Sequence, residues 1–282
     1  MSKPFTVLLF LLLTYSSAHA GELPWSKLPA AKDMKPGHKT LAENAFNALS
    51  AYGACTQTLR RCLEASPIEA GTLRQADFVI RRIKAGKNLE DLQKEMKDRE
   101  LSAKPPKIFS PDVSGLVASG SANAPVKVVI FADFECPSCG IASPALRKIS
   151  LEHPGLLAFY FKNFPVKTHP RGIPAALALL AAERQGKFWD MHDRLFRSHD
   201  FSDDALRAIA KSAGLDVALF ERDMSDPTLL DRLRREKEEG MSFGMVGTPG
   251  IFVNGKFYRG PKVQEELLDR IEEERESLAA SH

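Results

Sequence analysis

Cysteine is scarce in this sequence: there are four in 282 residues, Cys55, Cys62, Cys136 and Cys139. That is too few to build a scaffold from disulfides. Charge of one sign is also lacking. The 39 Lys and Arg against 36 Asp and Glu leave a net charge of +3, too weak to argue for nucleic acid or an anionic membrane as a partner. Beyond the N-terminal stretch no apolar run approaches the length of a membrane helix. No internal repeat is evident, and His169, His192 and His199 show no metal-ligand spacing on a strong element, so neither a metal nor histidine chemistry is expected.

What is present begins with an export signal. Lys3, the apolar core Phe5 to Leu13 and the small-x-small pattern Ala18-His19-Ala20 predict a signal peptide over residues 1–20. The mature chain, from Gly21, is expected to be soluble and either periplasmic or secreted. An apolar fraction of 44% suffices for a substantial core, in one large domain or two smaller ones.

The first part of the mature chain predicts a small helical module over residues 21–101. Thr40 and Glu43 have capping-box spacing, followed by Leu41, Ala45, Phe46 and Leu49 at helical intervals. Further helices are expected from about Thr72 to Ala85, stopped by Gly86, and from about Asn88. Cys55 and Cys62, seven residues apart, would stand about 10.5 Å apart along one unbroken helix. A disulfide needs Cα atoms roughly 4.4–6.8 Å apart, so a bond between them requires a turn. Closing that short loop is worth ~2–3 kcal/mol in the chain-entropy model.

Residues 102–125 read as a proline-stiffened linker, through Pro105 and Pro106, plus a first strand near Ile108 to Val113. A strong strand follows from Val126 to Phe134. Its centre, Val128-Val129-Ile130-Phe131, shows no polar alternation, as expected of a strand covered on both faces. A helix should start at Cys136 and run to about Glu152 with Pro144 inside it, and Leu156 to Phe161 reads as another strand. Residues 165–245 are helical in pattern. Ile251-Phe252-Val253, Asn254-Gly255 and Lys256-Phe257-Tyr258 predict a type I′ hairpin, before a final helix carrying Val263, Leu267, Ile271 and Leu278. The mixed charges from Asp231 to Glu239 suggest a solvated helix face.

The chemistry concentrates where the strong strand ends. Cys136-Pro137-Ser138-Cys139 places a proline at the first helical position, where its missing N–H is not needed. The N–H groups of Ser138 and Cys139 then point toward the Cys136 sulfur, and the positive end of the helix dipole favours a thiolate. For such motifs the thiol pKa falls to roughly 3.5–7.5. The chemistry expected of the pair is redox, with Cys136 as nucleophile and Cys139 as resolving thiol. The bland alternatives are a structural disulfide or half of a zinc site, the latter needing ligands from two separate modules.

The order of these elements resembles the thioredoxin fold, and the long helical insertion makes the chain similar to the DsbA-like secreted thiol-disulfide oxidoreductases. The residues that carry the likeness are Asp133 to Cys139, Pro144, Gln185-Gly186-Lys187-Phe188-Trp189-Asp190-Met191-His192 and Val246-Gly247-Thr248-Pro249. The resemblance implies an α/β thioredoxin-like domain over 126–282 with an inserted helical subdomain, preceded by the all-α module. It implies that Pro249 is a cis-proline beside the cysteines, leaving the backbone of Thr248 open to pair with a substrate strand. It implies protein thiols or disulfides as substrates and a membrane redox partner that resets the active site, with no cofactor beyond the Cys136–Cys139 disulfide.

Two positions depart from the pattern. Ile130 stands where relatives often carry a buried carboxylate, so a proton for Cys139 is expected to travel through water. Ser138 stands where some relatives place a histidine, and a less depressed Cys136 pKa is expected for it. The direction of exchange, whether oxidase, isomerase or reductase, stays open. An N-terminal module of this kind can serve a homo-oligomer, as in isomerase-type relatives. Cys55 and Cys62 read as a structural disulfide or, by a loose likeness to the thiol domain of cytochrome c maturation proteins, a second redox pair. A different class of function is a binding or chaperone module in which Cys136 and Cys139 only stabilise the scaffold.

Overall fold

The apolar run Val128 to Phe131 forms the buried middle of strand β2 (Val126–Ala132) in a computed structural model that describes residues 22–280. The expected signal peptide lies outside the described residues. The other strands are β1 (Ser119–Gly120), β3 (Leu157–Asn163), β4 (Gly250–Val253) and β5 (Lys256–Phe257). They form one sheet in the order β1-β3-β2-β4-β5, with β3 parallel to β2 and the remaining pairs antiparallel. Both faces of β2 are covered by packed apolar clusters, which is why its sequence shows no alternation.

The helices are α1 (Pro36–Ala48), α2 (Leu59–Leu63), α3 (Ala70–Lys84), α4 (Leu89–Ala103), α5 (Pro137–Glu152), α6 (Gly172–Arg184), α7 (Phe188–Leu195), α8 (Asp203–Ser212), α9 (Val217–Met224), α10 (Pro227–Ser242) and α11 (Gln264–Ala279). Helices α6 to α10 are the insertion between β3 and β4. One face of the sheet buries Ile130, Phe159 and Phe161 with Cys139, Leu146 and Leu179. The other buries Val129, Phe131 and Phe252 with Phe164. At the β4–β5 turn Asn254 has φ 47° and Gly255 φ 76°, as the Asn-Gly pair requires.

Four expectations need correcting. Residues 108–113 are not a strand. Phe109 donates one N–H to the Gly255 carbonyl at 2.8 Å, but Pro111 has no N–H to extend a ladder, and the first strand is the two-residue β1. Helix α1 begins at Pro36, in the N1 position, rather than at Thr40; Thr40 lies inside it and donates its hydroxyl to the Pro36 carbonyl at 3.4 Å. The module expected over 21–101 also ends early, because the chain divides into compact units at Asp77 and Phe78, within α3. The later residues belong to the larger unit because their charges pair with α11: Arg81 with Glu266 at 2.8 Å and Arg99 with Asp269 at 2.7 Å. Finally, the charged run on α10 is not all solvated. Glu236 is buried and accepts from the Asn163 N–H at 2.8 Å, and Glu239 pairs with Lys162 of β3.

In the smaller unit Ser50 bridges Thr58 across a short loop, with Leu59 donating to the Leu49 carbonyl at 2.8 Å. This reversal supplies the turn that the cysteine spacing requires. Cys55 and Cys62 are joined by a disulfide with Cα atoms 5.9 Å apart. Among the described residues no helix is long and apolar enough to cross a membrane.

Candidate active site

The end of β2 delivers Asp133 to Cys136 into a tight loop before α5. The Cys136 N–H donates to the Asp133 carbonyl at 3.1 Å, and the Cys139 and Gly140 N–H groups donate back to the Cys136 carbonyl at 3.0 and 3.1 Å. Cys136 is the N-cap of α5 in an extended conformation, and Pro137 begins the helix. The two thiols are free and both buried, but unequally: Cys136 is 8% exposed and Cys139 is fully enclosed.

That difference separates their acidities. A hydrogen bond from the Cys139 thiol, then the Thr248 side chain and the backbone N–H groups of Cys139 and Ser138, outweigh burial and lower the Cys136 pKa to about 5. Burial, reinforced by the hydrogen bond to Cys136, pushes the Cys139 thiol far up. One sulfur is therefore a thiolate at neutral pH and the other a thiol. Ser138, which is exposed, makes its contribution through its backbone.

Facing the pair from the other side is the loop before β4. The Thr248–Pro249 peptide is cis, and the Thr248 carbonyl oxygen lies 3.5 Å from the Cys136 sulfur. Ile130 is fully buried in the apolar cluster that also holds Cys139.

The sequence left Asp133 unassigned, yet it anchors the loop. Its buried carboxylate accepts from the N–H groups of Glu135 at 2.9 Å and Val166 at 2.8 Å, and meets His169 Nδ1 at 2.8 Å. Glu135 in turn accepts from the Arg171 N–H at 2.7 Å. These contacts tie the cysteine loop to the segment leading into α6. With Asp133 and His169 36 positions apart, no local spacing could reveal the pair. Among the described residues no group of three or more His, Cys, Asp or Glu could hold a metal ion.

A thioredoxin family model matches residues 113–273. BdbD from Bacillus subtilis is 25% identical, with a TM-score of 0.53, covering 59% of this chain and 96% of its own. A thiol-disulfide exchange protein from Wolbachia pipientis, alpha-DsbA2, shares the fold at 19% identity with a TM-score of 0.51, over 64% of this chain and 94% of that one. The Na(+)/H(+) antiporter NhaA 1 of Mycolicibacterium gilvum is 34% identical over 159 residues, 54% of this chain. The chain spans only about a quarter of that relative's length, 25%. With DsbA structures sharing its fold, and with the family match running through both cysteines, Thr248 and Pro249, this chain belongs to the thioredoxin family.

Proposed function

We propose that the chain is an exported thiol-disulfide oxidoreductase that acts on protein thiols and disulfides through a mixed disulfide on Cys136, and that it works as a disulfide donor. The observation that carries this reading is the unequal pair: Cys136 at the rim with its pKa lowered to about 5, and Cys139 buried one helical turn inside with its thiol pushed up. A sulfur held as a thiolate is a good leaving group, and it stabilises the dithiol over the disulfide.

In the donor direction a substrate thiolate attacks Cys136 of the Cys136–Cys139 disulfide, and Cys139 leaves with the electron pair and takes up a proton. A second substrate thiolate attacks the substrate sulfur of the mixed disulfide and expels the Cys136 thiolate. The substrate loses two electrons as its disulfide forms, and the pair gains them. Thr248, with its carbonyl toward Cys136, and Pro249 are the residues on which a substrate strand would rest. Turnover needs a redox partner that reoxidises the pair, for which a membrane protein is the candidate, in the periplasm or outside the cell. No observation favours the scaffold reading, in which the cysteines only stabilise a binding module.

Oxidative refolding of a reduced, disulfide-containing protein tests the reading. Wild type should accelerate it and Cys136→Ser should not. Equal activity of the two would return the chain to the scaffold class. A strongly reducing Cys136–Cys139 potential would overturn the donor direction alone.

A further inference from the structure

The core face of α5 carries an unexpected polar chain. Ser143, four residues after Cys139 and fully buried, has its Oγ 2.8 Å from His192 Nε2. His192 Nδ1 lies 2.8 Å from Asp193 Oδ1. His192 is fully buried, ringed by Phe134, Phe159, Phe161, Trp189 and Phe196. The Asp193 side chain is 34% exposed and stands 3.7 Å from Arg147 Nε. The chain thus runs from the buried face of α5 to the protein surface.

Its inner end stands on the same buried face of α5 as the resolving cysteine. Residues four apart on a helix lie one above the other, with Cβ atoms about 5–6 Å apart, so Ser143 is the next side chain below Cys139 on the same enclosed face. A carboxylate only accepts hydrogen bonds, so Nδ1 of His192 bears the proton that faces Asp193, and Nε2 accepts from the Ser143 hydroxyl. The lone pairs of Ser143 Oγ are then left free to accept a proton. Full burial rules out a hydrolase-type nucleophile here, since no substrate reaches Ser143.

We infer that Ser143, His192 and Asp193 form the proton route that serves Cys139, in place of the carboxylate absent at Ile130. This rests on the redox reading of Cys136 and Cys139. In resolution, the Cys139 thiol gives its proton to Ser143 Oγ as the Ser143 proton passes to Nε2; the imidazolium releases its Nδ1 proton through Asp193 to water. The Cys139 thiolate attacks the Cys136 sulfur, the Cys136–substrate bond breaks, and the substrate leaves as a thiolate. In the donor direction the same path delivers the proton that Cys139 takes up. Burial holds the imidazole below its ordinary pKa against the opposing effect of Asp193, with Arg147 adding to the lowering, so it is a neutral acceptor at the start. The charged groups on this path are Asp193 of α7 and Arg147 of α5; around Cys139 the charged group is the Cys136 thiolate, with the Thr248 side chain and the backbone of Asp133 as neutral hydrogen-bonding neighbours.

Mixing the reduced protein with Ellman's reagent, an aromatic disulfide, separates the steps. Attack by Cys136 releases one thionitrobenzoate and leaves the mixed disulfide; attack by Cys139 releases the second. In Ser143→Ala and His192→Phe the first release should match wild type. The second should slow by about 10²-fold near neutral pH and regain roughly tenfold per pH unit as hydroxide substitutes for the route. Ser143→Thr, which keeps the hydroxyl, should restore it. A second release with the wild-type rate and pH profile in both variants overturns the route, as does equal slowing of both releases, which marks a structural role. A wild type with no first release would overturn the redox reading itself.

Discussion

The carbonyl oxygen of Thr248 and the sulfur of Cys136 face each other at 3.5 Å, 112 residues apart in sequence. The Thr248 side chain also helps to lower the Cys136 pKa. Thr248→Val keeps the shape and removes the hydroxyl. A hydrogen bond to a charged group is worth about 1.5 kcal/mol at the low end, so the Cys136 pKa should rise by about one unit. Ultraviolet titration of the thiolate reads this directly, and an unchanged midpoint would count against a role for the side chain.

Ser138 invites the opposite change. A histidine there adds positive charge near the sulfur. Ser138→His should therefore lower the Cys136 pKa further and make the disulfide more oxidising, by about 30 mV for each tenfold shift in the exchange constant. Equilibration against a glutathione redox buffer measures it. No shift toward oxidising potential would mean that a side chain at 138 does not reach the sulfur.

The acidity of Cys136 also fixes a pH dependence. A thiol whose pKa falls from 9.0 to about 5 on folding stabilises the reduced folded protein fully above about pH 9, and that stability is lost as pH falls to about 5. The disulfide form has no such ionisation. The stability of reduced over oxidised protein should therefore decline from about pH 9 to about pH 5, by at most about 1.4 kcal/mol per unit, and level off below. Parallel denaturant titrations of the two forms test it, and a constant difference across the range would refute the low pKa.

Much of this site was legible in the sequence because it is local. A thiol pair three residues apart, a proline at N1 and an Asn-Gly turn are rules of one or two turns of backbone. The expected type I′ hairpin and the start of α5 accordingly match the structure at Asn254, Gly255 and Pro137. What escaped depends on residues that meet only after folding. His169 and His192 carried no spacing, and their partners Asp133 and Ser143 lie 36 and 49 residues away. The unit boundary was missed for the same reason: the prolines at 105 and 106 look like a linker, yet Arg99 reaches Asp269 across 170 residues.

Asp133 predicts a defect without touching the sulfurs. Asp133→Ala would leave the N–H groups of Glu135 and Val166 without their acceptor in a buried setting, each at a cost of about 1–3 kcal/mol. Gly172 is its neighbour. A Cβ there would come 2.9 Å from Asp133 Oδ2, so Gly172→Ala should press on the same carboxylate and destabilise by about 1–3 kcal/mol. Both should lower the denaturation midpoint, and both should slow the first thionitrobenzoate release because the Cys136 loop loses its anchor. A normal first release in Asp133→Ala would show that the loop holds its shape through the backbone alone.

The Cys55–Cys62 bridge makes a separable claim, because the two tryptophans fall in different units: Trp25 precedes the boundary after Asp77 and Trp189 follows it. Trp25 packs on Phe46 with ring centroids 6.0 Å apart, so in a Trp189→Phe background its fluorescence reports the smaller unit. If the bridge is structural, Cys55→Ser with Cys62→Ser should lower the stability of that unit by ~2–3 kcal/mol, the loop-closure value for so short a ring. The same change should leave oxidative refolding activity and the Cys136 titration as in wild type. Lost refolding activity with an unchanged Trp25 transition would instead make Cys55 and Cys62 a second redox pair.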